Sequence, residues 1–175
     1  MVRHPALVYR LRLSHPGLVT LRRAVGIRFI CLAVILDAYS RAVRGWALSR
    51  SLSQDLTLDA FRIALAKAKP FIFHSDQGSQ YAAWLHTDML QEAHVRISMS
   101  DKGKPTPNGI AERFMRTLKE EHVDYADYAD FPDALRQIAD WLAVEYNAQR
   151  IHSALHYATP AEFEMAAPGS LSPSI

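Results

Sequence analysis

RFICLAVILDAYSRAVRGWALS, residues 28–49, is the stretch on which the fold turns. Its first ten residues are β-branched or large and apolar with almost no polar break, the pattern of a strand buried on both faces. AYSR supplies a turn, and AVRGWALS (42–49) returns as a second strand, so the spacing predicts an antiparallel hairpin. Downstream, residues 53–69 place Leu58, Phe61, Leu65 and Ala68 at helical spacing, with Ser53 and Asp55 as cap candidates and Pro70 as the stop. FIFHSD (71–76) is a short apolar run that ends in polar residues, a buried strand that delivers His74, Ser75 and Asp76 to a loop. A helix over 81–94, a strand over 95–100 and a turn-rich loop, DKGKPTPNG (101–109), follow. Two helices close the pattern, over 110–122 with Asn108 as N-cap and over 132–146 with Asp130 as cap. On the second, Phe131, Leu135, Ile138 and Leu142 share one face. This order predicts an α/β fold with a mixed sheet flanked by helices, which binds ligands at the carboxyl ends of its parallel strands.

The 175 residues suffice for one domain, and a hydrophobic share of 49% supports a real core. The single cysteine, Cys31, excludes an intrachain disulfide and a cysteine-rich zinc module. The longest apolar run, Ile30 to Leu36, is too short to span a bilayer, so the expectation is a cytoplasmic protein with no membrane partner. A net charge of +2 does not by itself indicate nucleic acid. The distribution says more: residues 1–36 hold six arginines and no acid, the first carboxylate being Asp37. Such an arm either touches phosphates or is an unstructured leader, and the punctuation at Pro5 and His15-Pro16-Gly17 favours the leader.

Two carboxylates stand out. On its helix Glu112 shares a face with Arg116 and Lys119, while Ile110, Phe114 and Leu118 point the other way. That face is either a site or an ordinary solvated surface with Glu112 paired to Arg116. Asp76 sits at the predicted end of a strand, where it serves either a site or the cap of the helix beginning near Tyr81. His152 and His156 have a zinc-like spacing but no third ligand, and no G-x-S-x-G elbow accompanies Ser75. Trp46, Trp84 and Trp141 read as core or core-edge aromatics.

Four blocks, LAVILDAYSRAVRGWALSRSL (32–52), HSDQGSQYA (74–82), ISMSDKGKPTPNGIAERFMRTLKEE (97–121) and YNAQRIHSALHYATPAEFE (146–164), resemble the catalytic core of insertion-sequence-3 family transposases, which are themselves similar to retroviral integrases. The resemblance implies an RNase H-like fold with a mixed five-stranded sheet. It implies a DDE-type enzyme that cleaves and transfers DNA strands with two divalent cations, Mg²⁺ or Mn²⁺, held by three carboxylates. Asp76 matches the second carboxylate and Glu112 the third; 35 residues separate them, the gap typical of the family. Lys119 matches the family's lysine that contacts transposon-end DNA. Arg116, Lys102 and Lys104 are further phosphate contacts, and Asn108 and Gln80 match polar positions around the site. The implied partners are DNA at transposon ends and target, further copies of the chain, and an upstream helix-turn-helix region; the implied location is the bacterial nucleoid.

The chain departs from the family at its first carboxylate. Alignment places Val19 or Leu21 there, and neither can ligate a cation. Asp37 matches a different position, in the turn after the second strand. Pro107 stands where many members carry Asp. The expected organisation is therefore an atypical basic leader (1–25), a core (26–164) and a flexible tail (165–175), with the first strand degraded and the native start replaced by a frameshift or internal start. Two functions follow from this: a metal-dependent transposase core, or a catalytically dead remnant that keeps nucleic-acid or partner binding.

Overall fold

In a computed structural model the described residues are 12–25, 28–51, 53–67, 72–75, 88, 91–99 and 109–166. The strands are β1 (Arg12–Val25), β2 (Arg28–Asp37), β3 (Val43–Ser49), β4 (Ile72–Ser75) and β5 (Arg96–Met99). They hydrogen-bond in the order β3-β2-β1-β4-β5. The first three run antiparallel, whereas β4 runs parallel to both β1 and β5. The helices are α1 (Gln54–Lys67), α2 (Gly109–Leu118), α3 (Phe131–Asp140) and α4 (Pro160–Ala166).

β2 explains the layering. Ile30, Leu32, Val34 and Leu36 are buried among α2, α3 and the segment after α3, with Phe114, Leu118, Ile138 and Leu142 as neighbours. The alternate residues Cys31, Ala33 and Ile35 are buried with Leu56, Phe61 and Ala64 of α1 and Phe73 of β4. A period of two therefore feeds two separate cores, one on each face of the sheet. Each large side chain so buried contributes roughly 1.5–3 kcal/mol. Phe61 and Phe73 meet edge to face, ring centroids 4.9 Å apart.

The structure bears on four expectations. Residues 12–25, assigned to a leader without regular structure, form β1, and a core boundary at residue 26 cuts through the β1–β2 pair. Its local signal was masked by His15-Pro16-Gly17, which falls where the β1–β2 register shifts between Ser14 and Pro16. Proline is tolerated in a strand at such an irregularity, because no ladder hydrogen bond is demanded of it. Second, α1 is described as far as Lys67, and residues 68 and 69 of the expected helix lie outside the described residues. Third, the helix expected over 110–122 is α-helical only to Leu118. It then widens into a π-helical turn, Lys119–Val123, in which the Asp124 N–H donates to the Lys119 carbonyl at 2.9 Å. A second π-helical stretch, Trp141–Gln149, extends α3. Fourth, Leu135 is 40% exposed. The core-facing direction of α3 is centred on Ala134, Ile138 and Trp141, which turns Leu135 to the flank. The expected cap at Asp130 is present: its Oδ1 accepts the Asp133 N–H at 2.8 Å. Most of the expected helix over 81–94 lies outside the described residues, as does Trp84.

Between Ile35↔Gly45 and Leu36↔Val43 the β2–β3 register shifts, leaving Arg44 as an extra residue on β3. Beside it, Gly45 lets α1 approach the strand: a Cβ there would lie 2.1 Å from the Ala60 carbonyl oxygen and 2.7 Å from the Ala64 nitrogen. Both obstacles are backbone and cannot rotate away. Gly45→Val is therefore expected to cost at least about 3 kcal/mol, the upper end of ordinary overpacking. The check is the urea unfolding midpoint, and an unchanged midpoint would contradict the close packing.

Candidate active site

Of the three residues singled out on one helix face, Glu112 and Arg116 lie on α2 and Lys119 opens the π-helical turn that follows it. Glu112, Arg116 and Lys119 are all exposed, while Ala111, Phe114, Met115 and Leu118 of the same helix are buried. Local amphipathicity thus forces the carboxylate and two cations outward on one side, and α2 packs against β1 as well as β2. Among the described residues Glu112 and Arg116 form no ion pair, so the ordinary surface pairing is not made. An exposed carboxylate with no ion pair among the described residues can accept a cation while neighbouring exposed cations take phosphate.

A divalent cation of the Mg²⁺ type requires several oxygen ligands. Glu112 offers one. β4, which pairs in parallel with β1, is described as far as Ser75, the residue before Asp76 in the sequence. Asp76 itself lies outside the described residues, as do Gln80, Lys102, Lys104, Pro107 and Asn108. β1, which lies between β2 and β4, contributes nothing: none of residues 12–25 is Asp or Glu. The register places Val19 opposite Leu32 and Leu21 opposite Ile30. Among the described residues no group of three or more His, Cys, Asp or Glu side chains could hold a metal ion, so the spacing of His152 and His156 makes no zinc site. Among the described residues the three carboxylates that the resemblance implies are not assembled, and no complete two-cation site is present.

Asp37 cannot make up the deficit. It is fully buried, its Oδ1 accepts the Tyr39 N–H at 2.8 Å, and its Oδ2 lies 3.1 Å from the Arg44 guanidinium. The same guanidinium bonds Glu164 of α4, whose Oε1 also accepts the Ser40 hydroxyl at 2.5 Å. The extra residue of the β3 irregularity thus clamps the β2–β3 turn to the C-terminal helix.

A second charged locality was not legible in the sequence. A cleft of about 490 Å³ lies between α2, Arg41 of the β2–β3 turn and residues 146–154. Arg150 holds Glu121 with two hydrogen bonds, 2.8 and 2.7 Å. Burial pushes the Tyr146 hydroxyl up to about 12, partly offset by Arg150 and Arg41. Burial, then the charges of Arg150 and Arg41, push His152 down to about 4. Its ring meets Tyr146 edge to face at 5.2 Å, and its Nε2 is buried with no hydrogen-bond partner. These residues come from three separated segments, and no spacing rule joins them.

Two family models, both described as integrase core domain, match residues 18–105 and 93–160. The chain is 37% identical over 136 residues to the transposase for insertion sequence element IS904 of Lactococcus lactis, covering 76% of this chain and 54% of the relative. It is 32% identical over 139 residues to the transposase InsF for insertion sequence IS3A of Escherichia coli, covering 78% and 48%. The chain therefore spans about half the length of the curated relatives it matches. Among solved structures it resembles a simian T-cell lymphotropic virus intasome chain (TM-score 0.72, 16% identity, 98% of this chain and 60% of that one). It also resembles the HTLV-2 integrase catalytic core domain in complex with magnesium, in trimeric form (TM-score 0.64, 17% identity, 91% and 99%). At these identities the structures speak for the fold, which is that of the integrase catalytic core.

Two outcomes follow from this geometry. Asp37→Asn leaves Arg44 without its buried counter-ion and is expected to cost about 3 kcal/mol. Glu112→Gln, on an exposed face, should stay within about 0.5 kcal/mol of the parent. Urea unfolding of the two variants measures both, and equal losses would contradict the assignment of Asp37 to structure and Glu112 to the surface. The folded chain keeps His152 neutral while the unfolded chain protonates it near its ordinary 6.5. The stability from this residue is full above about pH 6.5 and is lost as the pH falls toward 4. Unfolding midpoints at pH 7 and pH 4.5 should differ less in His152→Gln than in the parent, and an identical difference would contradict the burial.

Proposed function

The chain belongs to the integrase core domain family of insertion-sequence transposases, and from that membership we propose that it engages the DNA of an insertion element through the exposed face of α2. The observation that carries this reading is Glu112 and Arg116 exposed on a helix that packs on β1, with Lys119 exposed in the turn that follows it, none of the three in an ion pair among the described residues. In it Lys119 and Arg116 contact backbone phosphates, joined by Lys102, Lys104 and Asn108 from the preceding loop. Phosphate contacts fix register and orientation and leave sequence selection to other parts of the assembly. Further copies of the chain and a helix-turn-helix partner belong to that assembly.

Asp76 and Glu112 are the residues that would hold a divalent cation. Such a cation supplies Lewis-acid and nucleophile-activating chemistry in strand cleavage and transfer. β1 brings no third carboxylate, and this observation favours a second reading, a remnant that binds nucleic acid without cutting it. Loss of one electrostatic stabiliser in a reaction of this class costs on the order of 10²–10³-fold in rate.

The two readings separate in a nicking assay on insertion-element-end duplex with Mg²⁺ or Mn²⁺. The chain should cut at least about 10²-fold more slowly than a variant in which Val19→Asp or Leu21→Asp restores a carboxylate to β1. Glu112→Gln should abolish whatever cutting remains. Cutting by the parent at the rate of the restored variants, stopped by Glu112→Gln, would sink the remnant reading. Cutting that survives Glu112→Gln would remove Glu112 from the site.

A further inference from the structure

The cleft of about 490 Å³ beside α2 is lined by three arginines and a histidine that the proposed chemistry at Asp76 and Glu112 does not use. Arg150 is neutralised by its two hydrogen bonds to Glu121. Arg41 and Arg113 have no ion pair among the described residues, and the lining's acids are Glu120 and the Glu121 already paired with Arg150. Arg41 sits in the left-handed region, φ 63°, where glycine would be cheaper. A side chain there costs roughly 1–2 kcal/mol. The turn holds it: the Arg41 N–H donates to the Asp37 carbonyl at 2.8 Å, and Asp37 is itself clamped by Arg44. On the opposite wall the His152 Nε2 lies buried without a partner. Two guanidinium groups with no ion pair among the described residues and an imidazole nitrogen with no hydrogen-bond partner border one cavity, where donors outnumber the carboxylate left over, Glu120. A buried polar atom left unpaired costs about 1–3 kcal/mol, and a ligand that accepts a hydrogen bond from it recovers that loss.

We propose that this cleft is a phosphate-binding site, distinct from the Asp76–Glu112 locality, in which Arg41, Arg113 and His152 donate to one phosphate group. Guanidinium forks match phosphate oxygens in charge and geometry. A bound phosphate stabilises the imidazolium form and so favours a protonated Nε2. The phosphate belongs either to a nucleic-acid strand or to a free phosphate. The strand source rests on the transposition reading, whereas the phosphate chemistry does not.

The test is NMR of the His152 ring in the full chain at pH 6, assigned by loss of its signal in His152→Gln. The probes are inorganic phosphate and, separately, a 20-base-pair duplex of arbitrary sequence, with duplex binding followed in parallel by mobility shift. Protonation-type shifts of the His152 ring on adding either probe are expected. Arg41→Gln with Arg113→Gln should remove them, and Arg62→Gln, on α1 beyond the sheet, should not. If the strand is the ligand, the double variant also binds duplex about 10-fold more weakly, and the slope of log affinity against log salt falls by about 2. A response to inorganic phosphate without duplex binding supports the site with free phosphate as ligand and counts against the transposition reading. Duplex binding that leaves the His152 ring unmoved, with no response to phosphate, overturns the site and leaves the transposition reading standing. A response that persists in the double variant also overturns it.

Discussion

Burial of β2 on both faces is the constraint from which the rest of the molecule follows. Ile30, Leu32, Val34 and Leu36 face one helical layer, and Cys31, Ala33 and Ile35 face the other, none more than 4% exposed. A one-residue slip would exchange the two sets, so the strand pins the registers of β1 and β3 on either side of it. Those registers decide where the helices can lie. α1 closes on Gly45 of β3, where no side chain stands in the way, and α2 and α3 close on the opposite face. The outward face of α2 is what remains after that packing; it carries Glu112 and Arg116, with Lys119 in the π-helical turn beyond.

The end of β2 extends the same logic to the C-terminus. A buried Asp37 is tolerable only because its oxygens are taken by backbone N–H groups and by Arg44. Arg44 reaches it as the extra residue of an irregular β3 and passes the connection to Glu164. One turn therefore does three things: it reverses the chain, anchors α4, and holds Arg41 in a strained conformation at the lip of the cleft.

β2, β3, β4, β5 and α1 were legible because their signals are local: a solid apolar run, a turn, a helical period with caps. The surface carrying Glu112 was legible for the same reason, since a 3.6-residue period fixes which side chains share a face. β1 was not, because its local sequence carries proline, glycine and arginines that normally break strands. Its pairing energy comes from β2, which follows it directly, and from β4, which is remote in the chain. The exposure of Leu135 escaped for a related reason: periodicity defines a face but not the direction in which the core lies.

The sequence by itself determined, through the identity of its motif residues, the resemblance to integrase-type α/β domains, which residues carry an exposed carboxylate and two cations at helical spacing, and that no Asp or Glu stands before Asp37. Each of these is a matter of residue identity or short-range period. Only the tertiary structure decided that an arginine-rich N-terminal segment pairs into the sheet, that Asp37 is consumed by Arg44 and the turn, and that Arg41, Arg113 and His152 border one cavity. Those outcomes depend on which distant segments pack together, and packing is set by burial summed over the whole sheet rather than by any local pattern.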